Sequence, residues 1–428
     1  MTDITSLHTL RALDENFWLP AVSSYQNTGR IAVEDLAQGP GIYYLVSAVG
    51  NVFHISYSEA LVGLAVIFGA LYPLAAFLLY RVFFEGNQRL ALVATLLLSM
   101  SDAMIYSTTV ARPTLFGLFL IPLAISAFQL LRRRFDWLKF LLLVLLSVMI
   151  LIIHAPISFV VLLAIVSFTV LVFGRVRRWE VAYVLLLFLA YGLNLEFFLP
   201  DLYRIWRTEL FGGYPLSLVS HFMGPFFFLI FPIAGLGLIV LSYLLVGMRE
   251  LVVRRGNVFF SKAPKPLFVI MGLIFLATIS SAFVLWKYSA FIAVEYGGLG
   301  FLFLIHSWKI AFGLLGLIGL RQIGVSYRRT SNDSALAWLL GLACVVAMLA
   351  AYLPLTRYSG LWDIDERFAE FAYYPALYFV TVGLNYLASR LPRRVFEWVG
   401  LPLFSLYTIP SIIAGTRIHT YVLKFLGL

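Results

Sequence analysis

The chain opens with residues able to handle protons or hold a cation. Asp3 and His8 make a compact D-x4-H pair, and Asp14, Glu15, Glu34 and Asp35 follow within residues 1–57. A carboxylate in such a segment can act as a general base on a hydroxyl, ligate a divalent cation, or stand as a solvated loop charge. Further along, Asp102 and Arg112 flank a short Ser/Thr turn, with Arg112 directly before Pro113. Held there by a helix-starting proline, Arg112 is placed to bind a lipid phosphate bidentately, or to snorkel as an ordinary interfacial arginine. A third group, Asp363, Asp365, Glu366, Arg367 and Glu370, crowds the last long outer loop, Thr356 to Glu370, just before a late apolar run. It reads either as a phosphate-binding Arg367 with acids shaping a polar pocket or as a self-satisfied surface cluster. His306 and Lys309 fall inside another apolar run, where an ionisable group is costly without a partner or a function. His154, at the tip of a helical hairpin, and His221, at a span start, are weaker candidates of the same kind.

These residues are carried by segments that are apolar and long. About twelve segments reach the roughly 20 residues that a bilayer crossing requires, starting near residues 59–80. The next are expected at 89–108, 112–131, 138–153, 155–173 and 180–198, then 221–247, 267–291, 301–320, 335–355, 371–389 and 395–413. Hydrophobic residues make up 62% of the chain and charged ones only 12%, which excludes a soluble globule. The expected fold is all-α: a polytopic transmembrane bundle forming a single membrane domain over 1–428. Residues 1–57 are its outer loop and 58–428 its spans. Within the outer loop, Ile42, Leu45, Val46, Val49, Val52 and Phe53 recur at helical spacing with Ser47 and Asn51 opposite. This is the pattern of a helix too short to span, either lying at the interface or re-entrant.

Charge sorts by side once the spans are marked. With the N-terminal segment outside, 20 of the 31 Lys and Arg fall on the cytoplasmic side, whereas 15 of the 21 Asp and Glu lie outside or within spans. The net charge of +10 is therefore mostly topogenic and calls for no nucleic-acid partner. The functional chemistry is expected on the outer face. The single cysteine, Cys344, rules out an intramolecular disulfide. Residues 1–58 show no cleavable signal pattern, and an outer start of this kind is expected to follow a helix lying upstream of this sequence. No Walker loop, HExxH or strand-borne GxGxxG occurs, so a nucleotide is not the expected cofactor. Asp3 with Asp102 or Glu15 can hold Mg²⁺ or Mn²⁺, and the metal requirement stays open. So does the oligomeric state.

In its order of features the chain resembles the family C superfamily of glycosyltransferases (GT-C), integral membrane enzymes that use polyprenyl-phosphate-linked sugars. The resemblance rests on Thr2-Asp3-Ile4-Thr5-Ser6-Leu7-His8 in the first outer loop and on Gly39-Pro40-Gly41-Ile42-Tyr43-Tyr44-Leu45 leading the interfacial helix. It continues in Tyr106-Ser107-Thr108-Thr109-Val110-Ala111-Arg112-Pro113, the basic exit at Arg132 to Arg134, and Arg367 before a late span. It covers most of the chain in layout and is specific over about the first 135 residues. Family members place one more helix before the catalytic loop, which would bring the total to about thirteen spans. The Trp-Trp-Asp signature and soluble C-terminal domain of oligosaccharyltransferases are missing. By position the resemblance implies Asp3 as the base that activates an acceptor hydroxyl, with inversion at the sugar carbon and departure of polyprenyl phosphate. Arg112, Arg367 and Lys309 are then the candidates for stabilising the leaving phosphate, with His306 beside Lys309, and Asp102, His154, Asp363 and Asp365 lining a polar pocket. Membrane lipids and a polyprenyl-phosphate sugar are the implied partners, and the cell membrane, extracytoplasmic side active, is the implied location. Two other readings fit the residues. One is a secondary transporter or lipid-linked oligosaccharide flippase with Lys309, His306 and Asp102 in its pathway; the other is an envelope polysaccharide polymerase or ligase.

Overall fold

The computed structural model describes residues 41–101, 104–105, 113–154, 158–172, 177–198, 308–330, 364–392, 394 and 407–409. Among them the chain is helical and contains no strand. In order come α1 (Gly41–Phe53), α2 (Tyr57–Phe83), α3 (Gln88–Ser99), α4 (Pro113–Arg133) and α5 (Trp137–His154). They are followed by α6 (Val160–Val172), α7 (Arg178–Phe198), α8 (Trp308–Thr330) and α9 (Ile364–Arg390). Two stretches among these, Tyr57–Phe83 and Leu115–Arg133, are long and apolar enough to cross a membrane. The spans expected at 221–247, 267–291 and 335–355 lie outside the described residues, as does 395–413 apart from one turn at 407–409.

Local chemistry sets the boundaries. Ser56 and Glu59 close a capping box at the start of α2, the Ser56 hydroxyl accepting from Glu59 N–H (3.3 Å) while Ser56 N–H donates to Glu59 Oε2 (2.8 Å). At the far end Gly86, at φ +90°, lets the chain turn tightly into Asn87, whose side chain caps α3 through Leu90 N–H (3.3 Å). The second expected span is interrupted. α3 stops at Ser99, and Ser101 accepts from Met104 N–H (3.3 Å), starting a new helical turn where unbroken helix was expected. The serine competes for the backbone at that point, which apolar periodicity does not register.

The helices alternate in direction. Phe68 packs on Phe116 (centroids 4.5 Å) while Arg133 donates to the Val82 carbonyl (2.9 Å), so α2 and α4 run parallel. The Tyr72–Tyr374 and Phe84–Tyr378 ring contacts set α9 parallel to both. In α5 and α7 the Phe140–Trp179 contact and the Ser147–Tyr183 hydroxyl bond (2.6 Å) again show parallel helices, opposed to α4. One end of the bundle therefore gathers Arg81, Arg89, Arg132 to Arg134, Lys139, Arg177 and Arg178. The other gathers the starts of α2, α4, α6 and α9 with the close of α5.

Inside, hydroxyls turn back on their own helices: Thr95 to Ala91 O, Ser126 to Pro122 O, Ser147 to Leu143 O, Thr169 to Ile165 O and Thr381 to Leu377 O, at 2.6 to 2.8 Å. Outside, Ile67, Leu71, Leu74 and Leu78 make an exposed apolar stripe on α2, and Leu138, Leu141, Leu145, Val148 and Ile152 make another on α5. α8 and α9 cross at backbone contact, because a Cβ on Gly319 would strike the Phe379 carbonyl and one on Gly383 the Leu315 carbonyl. Close approach through small residues is how apolar helices associate when lipid offers no hydrophobic drive.

α1 corrects an expectation. It is a helix too short to span, yet the face it packs holds Ile42, Tyr43, Val46, Ser47 and Gly50, while Val52 and Phe53 are exposed. Ser47 lies inside instead of opposite. Two glycines select this face: a Cβ on Gly41 would come within 2.6 Å of Ile152 Cγ2, and one on Gly50 within 2.7 Å of the Tyr57 ring.

Candidate functional site

The polar groups that nothing in the bundle's architecture demands collect where α4, α6 and α9 begin. Gly117, early in α4, is the meeting point. A Cβ there would collide with the Ser158 hydroxyl, lie 2.7 Å from Ser158 Cβ and 3.5 Å from Phe371 Cζ. The starts of α4 and α9 are thus held together at the entrance to α6. Arg112 directly precedes α4 in sequence, and Arg367 stands four residues before Phe371 on α9.

α9 begins seven residues before the expected start of its span at 371, and this changes the standing of its acids. Asp365 and Arg367 are helical residues of its first turns, not loop residues. Glu370, expected in the outer loop, is buried at 3% exposure. It stands one turn before Tyr374. Tyr374 donates to the Leu118 carbonyl (2.6 Å), and its own carbonyl accepts from Tyr80 (2.9 Å), tying α9 to α4 and α2. Tyr72 stands edge-on to Tyr374 with centroids 6.3 Å apart, its buried hydroxyl short of a well-formed hydrogen bond among the described residues. A carboxylate, two phenols and a serine therefore enter an otherwise apolar core from one end. Such a set can accept a proton or orient a hydroxyl-bearing ligand.

The helix starting at Asp365 and Glu366 was open to sequence reasoning, since acids favour the first turn of a helix and Glu370, Tyr374 and Tyr378 recur at a four-residue interval. The Gly117–Ser158 approach had no such signal, because it joins distant segments. Of the remaining candidates, His154 is the last residue of α5, at this same end, whereas Lys309, the second residue of α8, starts at the opposite end, because the Leu315–Gly383 and Gly319–Phe379 approaches set α8 antiparallel to α9. Asp3, His8, Asp102, Arg112, His306 and Asp363 lie outside the described residues. Among the described residues no three His, Cys, Asp or Glu side chains converge as a metal site.

The opposite end is built differently. Arg132 Nε donates to Glu180 Oε1 (2.9 Å), and Glu180 Oε2 accepts the Arg177 backbone N–H (2.9 Å). Asp136 caps α5 through Leu138 N–H (2.9 Å). That bond, with lesser help from Lys139, holds its carboxyl below the usual range. Phe135, Trp137, Phe140 and Trp179 form a connected aromatic layer beside these charges. No protein-family model matches the chain, and no curated protein matches it.

Proposed function

We propose that the chain is a multi-pass membrane glycosyltransferase that moves a sugar from a polyprenyl-phosphate donor to an acceptor on the extracytoplasmic face of a cell membrane. The observation that carries this reading is the junction at Gly117, which draws together the helix start that follows Arg112 and the helix turn that bears Arg367. Two arginines beside two helix N-termini suit a departing phosphate, since both the guanidinium groups and the free N–H ends favour negative charge. Membrane embedding is supported by the exposed apolar stripes on α2 and α5 and by hydroxyls bonded within their own helices, as a medium without water requires. The basic end then faces the cytoplasm and the site end faces out.

In this mechanism Asp3 takes the proton of the acceptor hydroxyl as that oxygen attacks the anomeric carbon. The bond from that carbon to the phosphate oxygen breaks with inversion, and its electron pair leaves on polyprenyl phosphate. Arg112 and Arg367 offset the charge that develops there, a role that is usually the largest catalytic term. His8 stands beside the base in sequence, while Asp102, His154, Asp363 and Asp365 shape the acceptor pocket.

Release of free polyprenyl phosphate from a panel of polyprenyl-phosphate sugars, by purified protein in lipid nanodiscs, tests this directly. Turnover is expected to fall by on the order of 10²- to 10⁴-fold in Asp3→Asn and about 10²-fold in Arg367→Ala. A protein inert toward every donor overturns the transferase reading. The buried Glu370 favours one alternative, a secondary transporter or flippase in which this carboxylate titrates during the cycle. Glu370-dependent flux into proteoliposomes, with no donor cleavage, would establish that reading instead.

A further inference from the structure

We infer that the basic end of the bundle carries a binding site for the headgroup of an anionic phospholipid, where α4, α5 and α7 meet. The inference rests on the membrane embedding proposed above and is independent of the transferase chemistry. Not every arginine there is available. Arg132 is committed to Glu180, which is 1% exposed, and Arg133 reaches the Val82 carbonyl, so both serve the fold. Arg134, Arg177 and Arg178 are exposed and form no ion pair among the described residues. The two acids nearby do little to neutralise them. Glu180 is occupied by Arg132 and the Arg177 N–H, and Asp136 faces Lys139 at 3.6 Å.

These three arginines belong to one corner of the fold. Glu180 ties the start of α7 to the end of α4, and Arg134 follows two residues after Arg132. Trp179 packs on Phe135 (5.8 Å) and Phe140 (6.2 Å), closing the angle between α7 and α5. Directly beside the charges, Trp137 is 74% and Leu138 76% exposed, and the apolar stripe runs on along α5 through Leu141 and Leu145. A phosphodiester on the arginines with an acyl chain along the stripe matches both halves of the surface, and Trp137 sits at headgroup depth between them. A soluble anion would use only the charges. Setting the sidedness of the chain requires basic residues in the turn, but it does not require unpaired guanidinium groups gathered beside an exposed indole and a leucine stripe.

Native mass spectrometry of the full chain, released from micelles holding equal phosphatidylglycerol and phosphatidylcholine with matched acyl chains, tests the site. Retention of phosphatidylglycerol over phosphatidylcholine is expected, with each arginine worth about fivefold at most. The combined variant Arg134→Gln, Arg177→Gln, Arg178→Gln should lose at least ~10-fold of that preference, while the matching triple lysine variant keeps most of it. Arg89→Gln with Arg390→Gln, at the same end but on α3 and α9, should leave it unchanged, and millimolar inorganic phosphate should not displace the lipid. Equal retention of both lipids, survival of the preference in the triple glutamine variant, or equal loss in the Arg89 and Arg390 control overturns the site. Alkaline carbonate extraction separates the two levels. Protein that stays in the membrane but shows no headgroup preference sinks the lipid site alone, whereas protein released by carbonate sinks the embedding as well.

Discussion

The two ends of this bundle each bury a carboxylate, in different surroundings. At the basic end the buried acid is matched. Glu180 takes Arg132 on one oxygen and a backbone N–H on the other, and the surrounding aromatic side chains close over the pair. At the other end Glu370 is buried to a similar degree, one turn before Tyr374, on the helix whose start meets a glycine–serine contact that only the absence of a Cβ permits. A matched buried pair is an anchoring device, because removing either partner leaves a charge with nowhere to go. A carboxylate among hydroxyls at the mouth of three helix starts has the makings of a site. The contrast assigns stability to one end and chemistry to the other, and it can be broken by mutation.

The largest effect is expected at the anchor. Glu180→Ala removes the carboxylate held by Arg132 and the Arg177 N–H and should lower stability by about 3–5 kcal/mol, read as a fall in the thermal unfolding midpoint in detergent. Turnover per folded molecule should be unchanged. Loss of activity at full stability would reverse the assignment of the two ends.

A smaller effect is expected at the site. Gly117→Ala puts a methyl group against Ser158 and should cost about 1–3 kcal/mol as overpacking, partly offset by the better helix propensity of alanine. Here activity should fall further than stability, because the shift separates α4 from α9. Adding Ser158→Gly should restore both. Gly313→Ala is the control, since nothing lies within 4 Å of its added Cβ. A Gly117→Ala protein with wild-type turnover would detach the helix junction from function.

Sequence reasoning reached the helices that periodicity governs and missed what long-range packing decides. The apolar runs expected at 59–80, 112–131 and 180–198 correspond to α2, α4 and α7 with ends shifted by a few residues, because hydropathy marks the apolar middle of a helix and not its caps. The break at Met100–Ser101 escaped because one serine outweighs its apolar neighbours at that point. Ser47 was placed on the wrong side of α1 because the packed face follows Gly41 and Gly50, which carry no hydrophobic signal. The ion pair of Arg132 with Glu180 spans 48 residues, and Glu370 read as a loop acid because an acid beside an apolar run resembles a boundary. Among the described residues the basic turns of α2 to α5 and α7 do gather at one end, whereas α8, antiparallel to α9, runs with Arg321 toward the other.

The smallest effect comes from an exposed carboxylate and tests whether the basic end is held by its buried pair or by its surface charges. Asp136 is depressed chiefly by Leu138 N–H and secondarily by Lys139. A carboxyl lowered in the folded state contributes stability that is complete above its unfolded value, about 3.9, and that disappears as pH falls through the folded value. The wild-type unfolding midpoint should therefore carry a slight acid-side decline that Asp136→Asn lacks, since asparagine keeps the helix cap and gives up only the charge. The difference between the two proteins, followed from pH 7 to about pH 3, cancels the other carboxyl groups. Because Asp136 is solvated, added salt should shrink its ion-pair share and leave the part due to Leu138 N–H. A difference as large as that caused by Glu180→Ala would move the anchor of this end from the buried pair to the turn.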